Sequence, residues 1–536
     1  MTATDIRQVD AKTLKEWLHD GSEIALLDVR EAGQFGESHL LLAMPLPYSV
    51  LELDVQRLVP RLNTRIVLVD ETGQDVAPLA FERLRELGYT DLQVLEGGVA
   101  AWQKAGFELF AGVNVPSKVF GELAEHHFET PHVSATELNR WQQEGKDLIV
   151  LDGRPFHEYQ KMSIPQAKCC PNGELALRID DLAVSPDTTI VINCAGRTRS
   201  IIGAQTLINL GVQNPVVALE NGTQGWYLED LNLNHGKDER YAEIDSTQDL
   251  SDRLARSQAL AQRFSIPTVD AHTLQSWWQD GDRSVYLCDV RTPEENKRQP
   301  IAGAQHAPGG QLIQATDQYI ATRGARVVVV DDDGVRAPVV ASWLYMLGWD
   351  VNVLPPQEIE AWTAWYNAHQ SDKASAPVLP ALSELDMEGL KSLLQENVPV
   401  LDIRLSLTYR DGHIAGAHWT TRPILTQTLK DLGSSVDRVV LHANDLRVAQ
   451  LLAMELQAQG IQCAGVFLGS LGSLQEAGVS TESTPDMPAD DACIDYLFFV
   501  HDRHDGNKEA ARQYLKWETG LIAQLDEQEK AMFRFA

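Results

Sequence analysis

The segment TIVINCAGRTRS, residues 189–200, places a cysteine directly after an apolar run and follows it with a glycine and two arginines. The pattern predicts a strand that ends at Cys194, a short loop and then a helix. Backbone N–H groups in the first turn of a helix are unpaired and lie at the positive end of the helix dipole. A thiol in this position, beside arginines, has a lowered pKa and reacts as the thiolate. We therefore expect Cys194 to be a nucleophile that attacks an anionic donor.

The loop after the cysteine is short enough to curve around the sulfur, and Gly196 permits a tight turn. The residues expected to surround the sulfur, hereafter the cysteine loop, are Ala195, Gly196, Arg197, Thr198, Arg199 and Ser200. The alternative is an inert thiol in the core. An apolar pocket would not place two arginines on a tight turn beside it, so the sequence favours a functional thiol.

The elements that position this loop recur four times along the chain. Each copy has an apolar segment ending in Asp-x-Arg, with the pairs Asp28 and Arg30, Asp152 and Arg154, Asp289 and Arg291, and Asp402 and Arg404. A second apolar segment follows at nearly constant spacing and ends at Asp70, Cys194, Asp331 or His442. A helical stretch and a third apolar segment complete each copy. The alternation predicts an α/β protein with four tandem units, each a small parallel sheet flanked by helices.

Only the second unit has a cysteine at the end of its second strand. The carboxylates of Asp70 and Asp331 and the imidazole of His442 cannot carry a transferable sulfur. Arg336 and Arg447 stand where Arg199 stands, so the third and fourth loops retain a cation that could bind an anion, whereas the first unit has Asp75 there. We expect these three units to be structural or regulatory.

The predicted boundaries are residues 1–112, 113–240, 241–370 and 378–482 for the four units, and 483–536 for a C-terminal extension. A linker opens the second segment, and a linker helix opens the third. The extension belongs to no repeat and is predicted to contain a strand from Cys493 and a helix over about residues 508–533. The apolar stripe of that helix could dock on the fourth unit or join two subunits, so oligomerisation stays open.

The amino-acid composition limits the classes of partner and the cellular compartments that we expect for this protein. Lys and Arg number 45 against 76 Asp and Glu, a net charge of −31, which excludes nucleic acid and anionic membranes as favoured partners. Six cysteines without framework spacing predict reduced thiols. The sequence shows no export signal and no membrane span, so we expect a cytoplasmic protein. We predict no cofactor and no metal, because the consecutive ligand-type residues 501–506 rarely converge on one ion.

Three motifs together resemble the rhodanese family of sulfurtransferases: Asp-x-Arg, Cys-x-x-x-x-Arg-Ser at Cys194, and NGTQGW (residues 221–226) in place of Gly-Gly-x-x-Ala-Trp. The resemblance covers the chain to about residue 480 as four rhodanese-like units. It implies that Cys194 takes a sulfur from thiosulfate or a related persulfide donor and passes it to cyanide or a thiol, including a protein thiol. It further implies that Arg197 and Arg199 face the donor, and that Asp152 and Arg154 give structural support.

Two other readings remain. A sulfur-relay, sensing or scaffold module would deliver the persulfide to one protein partner through the three cysteine-free units. A phosphatase or arsenate reductase is the other alternative, and in the rhodanese-like superfamily that activity goes with a loop one residue longer. Here only the four residues 195–198 separate Cys194 from Arg199. The short loop suits a single sulfur atom better than a phosphoryl group.

Overall fold

The fold is that of a computed structural model, which describes residues 6–183, 185–243, 249–369, 377–433, 436–498 and 507–535. Four sheets of four to six strands with helices on their faces lie along this part of the chain, one in each predicted unit, and the fourth unit has an additional two-stranded sheet. The α/β prediction is therefore confirmed. The boundaries of the units remain predictions.

The second unit contains a sheet of five parallel strands. The strands are His132–Val133, Leu148–Asp152, Ala167–Cys169, Thr189–Asn193 and Val216–Leu219. The helices are Ala135–Gln143, Phe156–Lys161, Leu175–Leu182, Thr198–Asn209 and Gly222–Leu228. The central strands are apolar because helices cover both faces of the sheet. Asp152 is in register with Asn193, so the Asp-x-Arg motif lies beside the cysteine loop at the carboxyl edge of the sheet.

The first unit has the parallel strands Gln8–Val9, Ile24–Asp28, Met44–Pro45, Ile66–Val69 and Leu92–Leu95. Its helices are Ala11–Trp17, Ala32–Glu37, Leu51–Leu58, Ala77–Glu86 and Gly98–Lys104. The third unit has the parallel strands Val285–Asp289, Gln305–His306, Arg326–Val330 and Asp350–Leu354. Its helices are Ala271–Asp280, Pro293–Arg298, Gly309–Gln314, Arg336–Met346 and Ile359–Ala368.

The fourth unit has the parallel strands Val400–Asp402, His418–Trp419, Arg438–His442 and Gln462–Phe467, together with a small antiparallel pair, His413–Ile414 and Thr481–Glu482. Its helices are Met387–Gln395, Ser406–Asp411, Leu425–Leu432, Leu446–Ala458 and Leu471–Glu476. The strand order matches that of the central strands in the other units, so the same positions meet at the carboxyl edge.

One short strand of the third unit pairs with the sheet of the first unit. Thr322–Arg323, which precedes the central strand of the third unit, pairs antiparallel with Ile24–Asp28 of the first unit. The neighbouring Ala321 packs in the core of the first unit, and the Tyr286 hydroxyl donates to the Leu58 carbonyl oxygen there. The two units therefore share a sheet and a core boundary, which the sequence did not predict.

The linkers are helical, as the sequence predicts for the second of them. The first linker helix is Val115–Phe128 and the second is Ser251–Arg263. Phe120 of the first packs in one apolar cluster with Ile202 of the cysteine-bearing unit and Trp343 of the third. The third linker is the polar, proline-containing segment of residues 369–383, and its residues 370–376 lie outside the described part of the chain.

The C-terminal extension differs from its prediction. Its helix ends early: Lys508–Gly520 is α-helical, Leu521–Gln524 is a 3-10 turn and Glu527–Lys530 is a short helix. Within the described residues 483–498 and 507–535 there is no strand, so the strand predicted from Cys493 is wrong over residues 493–498. The polar, proline-containing segment that precedes Cys493 forms turns, including the 3-10 turn Asp490–Ala492.

Candidate functional site

Cys194 directly follows the strand Thr189–Asn193 and precedes the helix Thr198–Asn209, whose N-terminal cap is Arg197. The side chain is 2% exposed. A second loop fixes this turn, since the backbone N–H of Thr223 donates to the Cys194 carbonyl oxygen at 2.8 Å and that of Gln224 to the Ala195 carbonyl oxygen at 3.1 Å. A Cβ atom on Gly222, which has φ 55°, would collide with the Cys194 carbonyl group. The NGTQGW motif thus holds the backbone at the start of the cysteine loop through hydrogen bonds.

The loops of the first and third units show where this turn directs its N–H groups. Asp70 accepts backbone hydrogen bonds from Thr72 at 3.1 Å, Asp75 at 3.0 Å and Ala77 at 2.8 Å, and a further one from Gly73. Asp331 accepts from Gly334 at 2.8 Å and Ala337 at 2.7 Å. In both units the residue at the strand end is a carboxylate surrounded by N–H donors of its own loop. In the second unit a thiol, that of Cys194, occupies this strand-end position.

The fourth unit uses its strand-end residue differently. His442 is fully buried, with Nε2 3.1 Å from the Gly469 carbonyl oxygen and Nδ1 3.3 Å from Asp402 Oδ2. Burial raises the pKa of Asp402, but hydrogen bonds from His442 and Arg404 outweigh it, so the pKa is lowered. His442 therefore lies between Asp402 and the Gly469 carbonyl group at the carboxyl edge of the sheet.

The arginines of the third and fourth loops do not offer a vacant anion site. Arg336 is 1% exposed and pairs with Glu295, Asp333 and other carboxylates. Arg447, whose side chain is 64% exposed, pairs with Asp445 at 2.8 Å. The expectation that these loops retain a free cation is wrong for the third unit, because neighbouring carboxylates already neutralise Arg336.

The two arginines of the cysteine loop are also paired. Arg197 donates from Nε to Glu122 at 2.7 Å and forms an ion pair with Glu125, both on the first linker helix. Arg199 makes a bidentate pair with Glu158, with both distances 2.8 Å. Burial raises the pKa of Glu158, but the guanidinium groups of Arg199 and Arg154 outweigh it and hold the pKa at about 2.

Asp152 and Arg154 form a buried support beneath the loop. Asp152 accepts from Arg154 Nε at 2.8 Å and Nη2 at 2.7 Å, and from Asn193 Nδ2 at 2.9 Å. Asn193 is the residue before Cys194, so the pair fixes the strand end. The three other Asp-x-Arg motifs form the same ion pair, which indicates a structural element of every unit.

A residue that the sequence analysis missed lies against the loop. Glu518, on the C-terminal helix Lys508–Gly520, is fully buried. Its Oε1 accepts from Thr198 Oγ1 at 2.9 Å and from Lys118 Nζ at 2.8 Å. Burial raises the pKa of Glu518, but Lys118 and Thr198 outweigh it, so the pKa is lowered. Sequence periodicity offers no signal for this contact, because the extension belongs to no repeat.

A cavity of 340 Å³ adjoins the cysteine-bearing unit. The second unit, the first linker helix, the third unit and the C-terminal helix all contribute to its wall. Among the lining residues are Arg154, Glu158, Arg199, Lys118, Gln314 and Tyr514. The cavity has the size of a small-molecule site, for which about 300–1,000 Å³ is usual.

Among the described residues, no helix has the length and apolar character to cross a bilayer. The same residues hold no cluster of three or more His, Cys, Asp or Glu side chains arranged for a metal ion. Residues 501–506, considered above as ligand-type residues, lie outside the described part of the chain.

Fold and site together define an α/β protein of repeated units in which one unit has a cysteine at the strand-end position that Asp70, Asp331 and His442 occupy in the others. The model of the rhodanese-like domain matches residues 10–105, 134–229 and 270–364. The chain belongs to the rhodanese-like family and is a rhodanese-like enzyme. The fourth unit is recognised here by its strand order and its buried Asp402–Arg404 pair.

Solved structures agree with this assignment. The chain is similar to the crystal structure of a thiosulfate sulfurtransferase from Pseudomonas aeruginosa, with 39% identity, a TM-score of 0.88 and 99% of each chain covered. It also matches the 3-mercaptopyruvate sulfurtransferase SseA from Escherichia coli at 19% identity, covering 42% of this chain and 97% of that one, with a TM-score of 0.22 that is too low to support an argument. No curated protein sequence matches the chain.

Proposed function

We propose that this protein is a sulfurtransferase that moves sulfane sulfur from thiosulfate or a related persulfide donor to a thiophilic acceptor through a persulfide on Cys194. The Cys194 thiolate attacks the outer sulfur of thiosulfate, a new S–S bond forms, and the bond to the sulfonate sulfur breaks with release of sulfite. The acceptor, cyanide or a thiolate, then attacks the terminal sulfur and Cys194 leaves as the thiolate. Charge and atoms balance in both steps, and no external oxidant is needed.

One observation carries the proposal: in the sister units the strand-end turn directs backbone N–H groups at the side chain that ends the second strand. The carboxylates of Asp70 and Asp331 accept these hydrogen bonds in the sister units. Where Cys194 replaces the aspartate, the same donors would stabilise a thiolate and then the terminal sulfur of a persulfide. The similarity to the Pseudomonas aeruginosa thiosulfate sulfurtransferase supports the choice of donor.

The surroundings of the sulfur favour small acceptors over a protein thiol. Cys194 is 2% exposed, and the C-terminal helix covers the loop through Glu518. A cysteine of a folded partner would have to reach beneath this helix, whereas cyanide or a low-molecular-weight thiol needs much less room. The relay function is therefore the weaker proposal. The four-residue loop likewise favours sulfur over phosphoryl transfer.

Intact mass spectrometry after incubation with thiosulfate tests the proposal. We expect the wild type to gain one sulfur atom, Cys194→Ser to gain none, and cyanide to remove the sulfur from the wild type. Cys463→Ser is the matched control, because this partly exposed thiol in the fourth unit is more accessible than Cys194. Sulfur gain by Cys194→Ser, or loss of the gain in Cys463→Ser, would overturn the assignment.

A further inference from the structure

A second cavity, hereafter the junction cavity, lies between the second and third units and has a volume of 310 Å³. Its lining residues fall within the segments 153–157 and 169–174 of the second unit, 240–241 at the end of that unit, and 290–294 and 308–311 of the third. Among the described residues that line it, none belongs to the cysteine loop. The junction cavity is thus distinct from the 340 Å³ cavity beside that loop, with which it shares Gln311.

Equivalent residues of the two units face each other across the junction cavity. Pro171 lies two residues after the strand Ala167–Cys169, and Pro308 lies two residues after the strand Gln305–His306. Each of these strands pairs with the aspartate of its own Asp-x-Arg motif, so the two prolines occupy the same position in the repeat. Both line the cavity, which therefore lies where the carboxyl edges of the two sheets meet.

The two units are in close contact directly beside the cavity. A Cβ atom on Gly173 would lie 2.7 Å from the Gly310 nitrogen, and one on Gly310 would lie 3.1 Å from the Gly173 nitrogen. Both glycines line the cavity, so the backbones touch at its wall. A loose fit between the units therefore does not account for the empty volume.

The wall of the junction cavity is largely apolar. Its apolar side chains include Pro155, Phe156, Pro171, Val290, Pro293 and Pro308. Protein interiors contain few voids larger than a water molecule, whereas apolar pockets of about 300–1,000 Å³ at the junction of two domains are typical ligand sites. An apolar cavity of about 150 Å³ holds benzene, so the volume here suits about two fused rings.

The charged side chains in the interior of the wall already have partners. Glu174 pairs with Arg178 at 3.1 Å and with Arg336 at 2.8 Å. Arg291 pairs with Asp289 at 2.7 Å. A charged ligand would lose its hydration without gaining an unpaired counter-ion, which is costly in an apolar site. The lining therefore favours an uncharged occupant.

The solvent side of the cavity is marked by an exposed ion pair. Arg240 and Glu294 both line the cavity and lie 3.3 Å apart, with side chains 44% and 62% exposed. The Arg240 guanidinium also lies over the Phe156 ring, 5.1 Å from its centroid. An exposed pair of this kind contributes little to stability, so it can move aside for an entering molecule. A guanidinium group can in turn stack on an aromatic ligand.

We infer that the junction cavity is a binding site for a small, uncharged aromatic molecule of one or two rings. The ligand packs against the prolines and Phe156 and contacts the second and third units at once. Because it binds the folded protein, it also raises the melting temperature. The inference goes beyond the proposed function and involves no step at Cys194.

Isothermal titration calorimetry of the full chain with 2-naphthol, which is uncharged at neutral pH, tests the site. We expect one molecule to bind per chain with a Kd of about 0.1 mM or tighter. Naphthalene-2-sulfonate has the same rings and a negative charge, and should bind at least about tenfold more weakly. Thermal unfolding with 2-naphthol should show a higher melting temperature than unfolding without it.

Phe156→Ala removes the aromatic wall and should weaken the binding of 2-naphthol about tenfold or more. Phe107→Ala is the matched control, because it removes a half-buried phenylalanine of the first unit that packs on Trp102, and it should keep the wild-type affinity. If Phe156→Ala does not fold, Phe156→Leu keeps the apolar bulk and should weaken binding about threefold or more.

Absence of 2-naphthol binding to the wild type would rule out the site, and this result needs no folded variant. Equal or tighter binding of the sulfonate would reject the uncharged class of ligand. Wild-type affinity in folded Phe156→Ala or Phe156→Leu would place the bound molecule elsewhere. Each of these results would leave sulfur transfer through Cys194 untouched, because that reaction is measured separately by the gain of sulfur mass.

Discussion

Arg336 of the third unit donates from Nη1 to Glu174 Oε1 of the second unit at 2.8 Å, and both side chains are buried. Arg336 follows Asp331 as Arg199 follows Cys194. The arginine that lies in the cysteine loop of the active unit therefore serves, in its neighbour, to join the two units. Glu174 ends the turn Asn172–Glu174. Asn172 of the same turn donates to the Arg199 carbonyl oxygen at 2.8 Å, so the junction between the two units contacts the helix Thr198–Asn209 that follows Cys194.

Replacing Arg336 should strongly destabilise the protein. Arg336→Gln would leave the buried Glu174 with Arg178 as its remaining cation and would take the cation from the partly buried Glu295; loss of one partner of a buried pair costs about 3–5 kcal/mol. Thermal and urea unfolding of the full chain measure the effect. Arg447→Gln is the matched control, since this exposed arginine occupies the same position in the fourth unit and should change stability by less than about 0.5 kcal/mol. Equal effects of the two changes would contradict the interface role.

The two loop arginines should have different effects on the reaction with thiosulfate. Arg199 lines the 340 Å³ cavity, whereas Arg197 is bound by Glu122 and Glu125 of the linker helix. We expect Arg199→Lys to lower kcat/KM for thiosulfate by about tenfold or more, because lysine lacks the planar, two-pronged donor geometry. Arg197→Lys should lower it by about twofold or less. Steady-state kinetics with thiosulfate and cyanide give both values, and a larger effect at Arg197 would assign the donor to the other side of the loop.

Stability should fall as the pH rises from about 4.5 to about 7 because of Glu31. Burial raises the pKa of this carboxyl from 4.5 to about 7. The folded protein therefore retains a proton that the unfolded chain releases near pH 4.5, and this contribution to stability is lost between pH 4.5 and about 7. Glu31→Gln should match the wild type near pH 4.5 and exceed it at pH 8 by roughly 3 kcal/mol at most.

Urea unfolding at the two pH values tests the role of Glu31. Glu37→Gln, an exposed change in the adjoining helix Ala32–Glu37, is the control and should follow the wild type at both. A pH dependence that survives in Glu31→Gln would assign the effect to another buried acid, with Asp317, whose pKa burial also raises to about 7, the first to examine.

The repeated pattern made much of the fold predictable. Buried parallel strands are apolar throughout and end at the sheet edge in polar residues, so Asp-x-Arg and the strand-end residues at Asp70, Cys194, Asp331 and His442 could be aligned by spacing alone. The meeting of Asp152 with the cysteine loop follows from parallel register. The second linker helix was likewise visible, because its apolar residues recur at helical intervals.

What escaped prediction depends on contacts between distant segments. Glu518 lies more than three hundred residues from Thr198, and no local pattern distinguishes its carboxylate from those of a solvated helix face. Glu122 lies 75 residues from Arg197 and Glu158 lies 41 residues from Arg199, so no local pattern pairs these residues and the sequence left both arginines free. The two-residue strand Thr322–Arg323 is too short for any periodicity to mark it.

That short strand has a consequence for how the chain is made. Met44–Pro45 pairs with Leu27 and Asp28 on the outer side of the strand Ile24–Asp28, so the N-terminal unit leaves the ribosome with Ile24 and Ala25 uncovered there. The segment that pairs with these two residues is synthesised only after the whole second unit. An open strand edge is a template for unwanted pairing with other chains. The sheet of the first unit is therefore translated first but completed late. A fragment that ends after the first unit would be prone to aggregate.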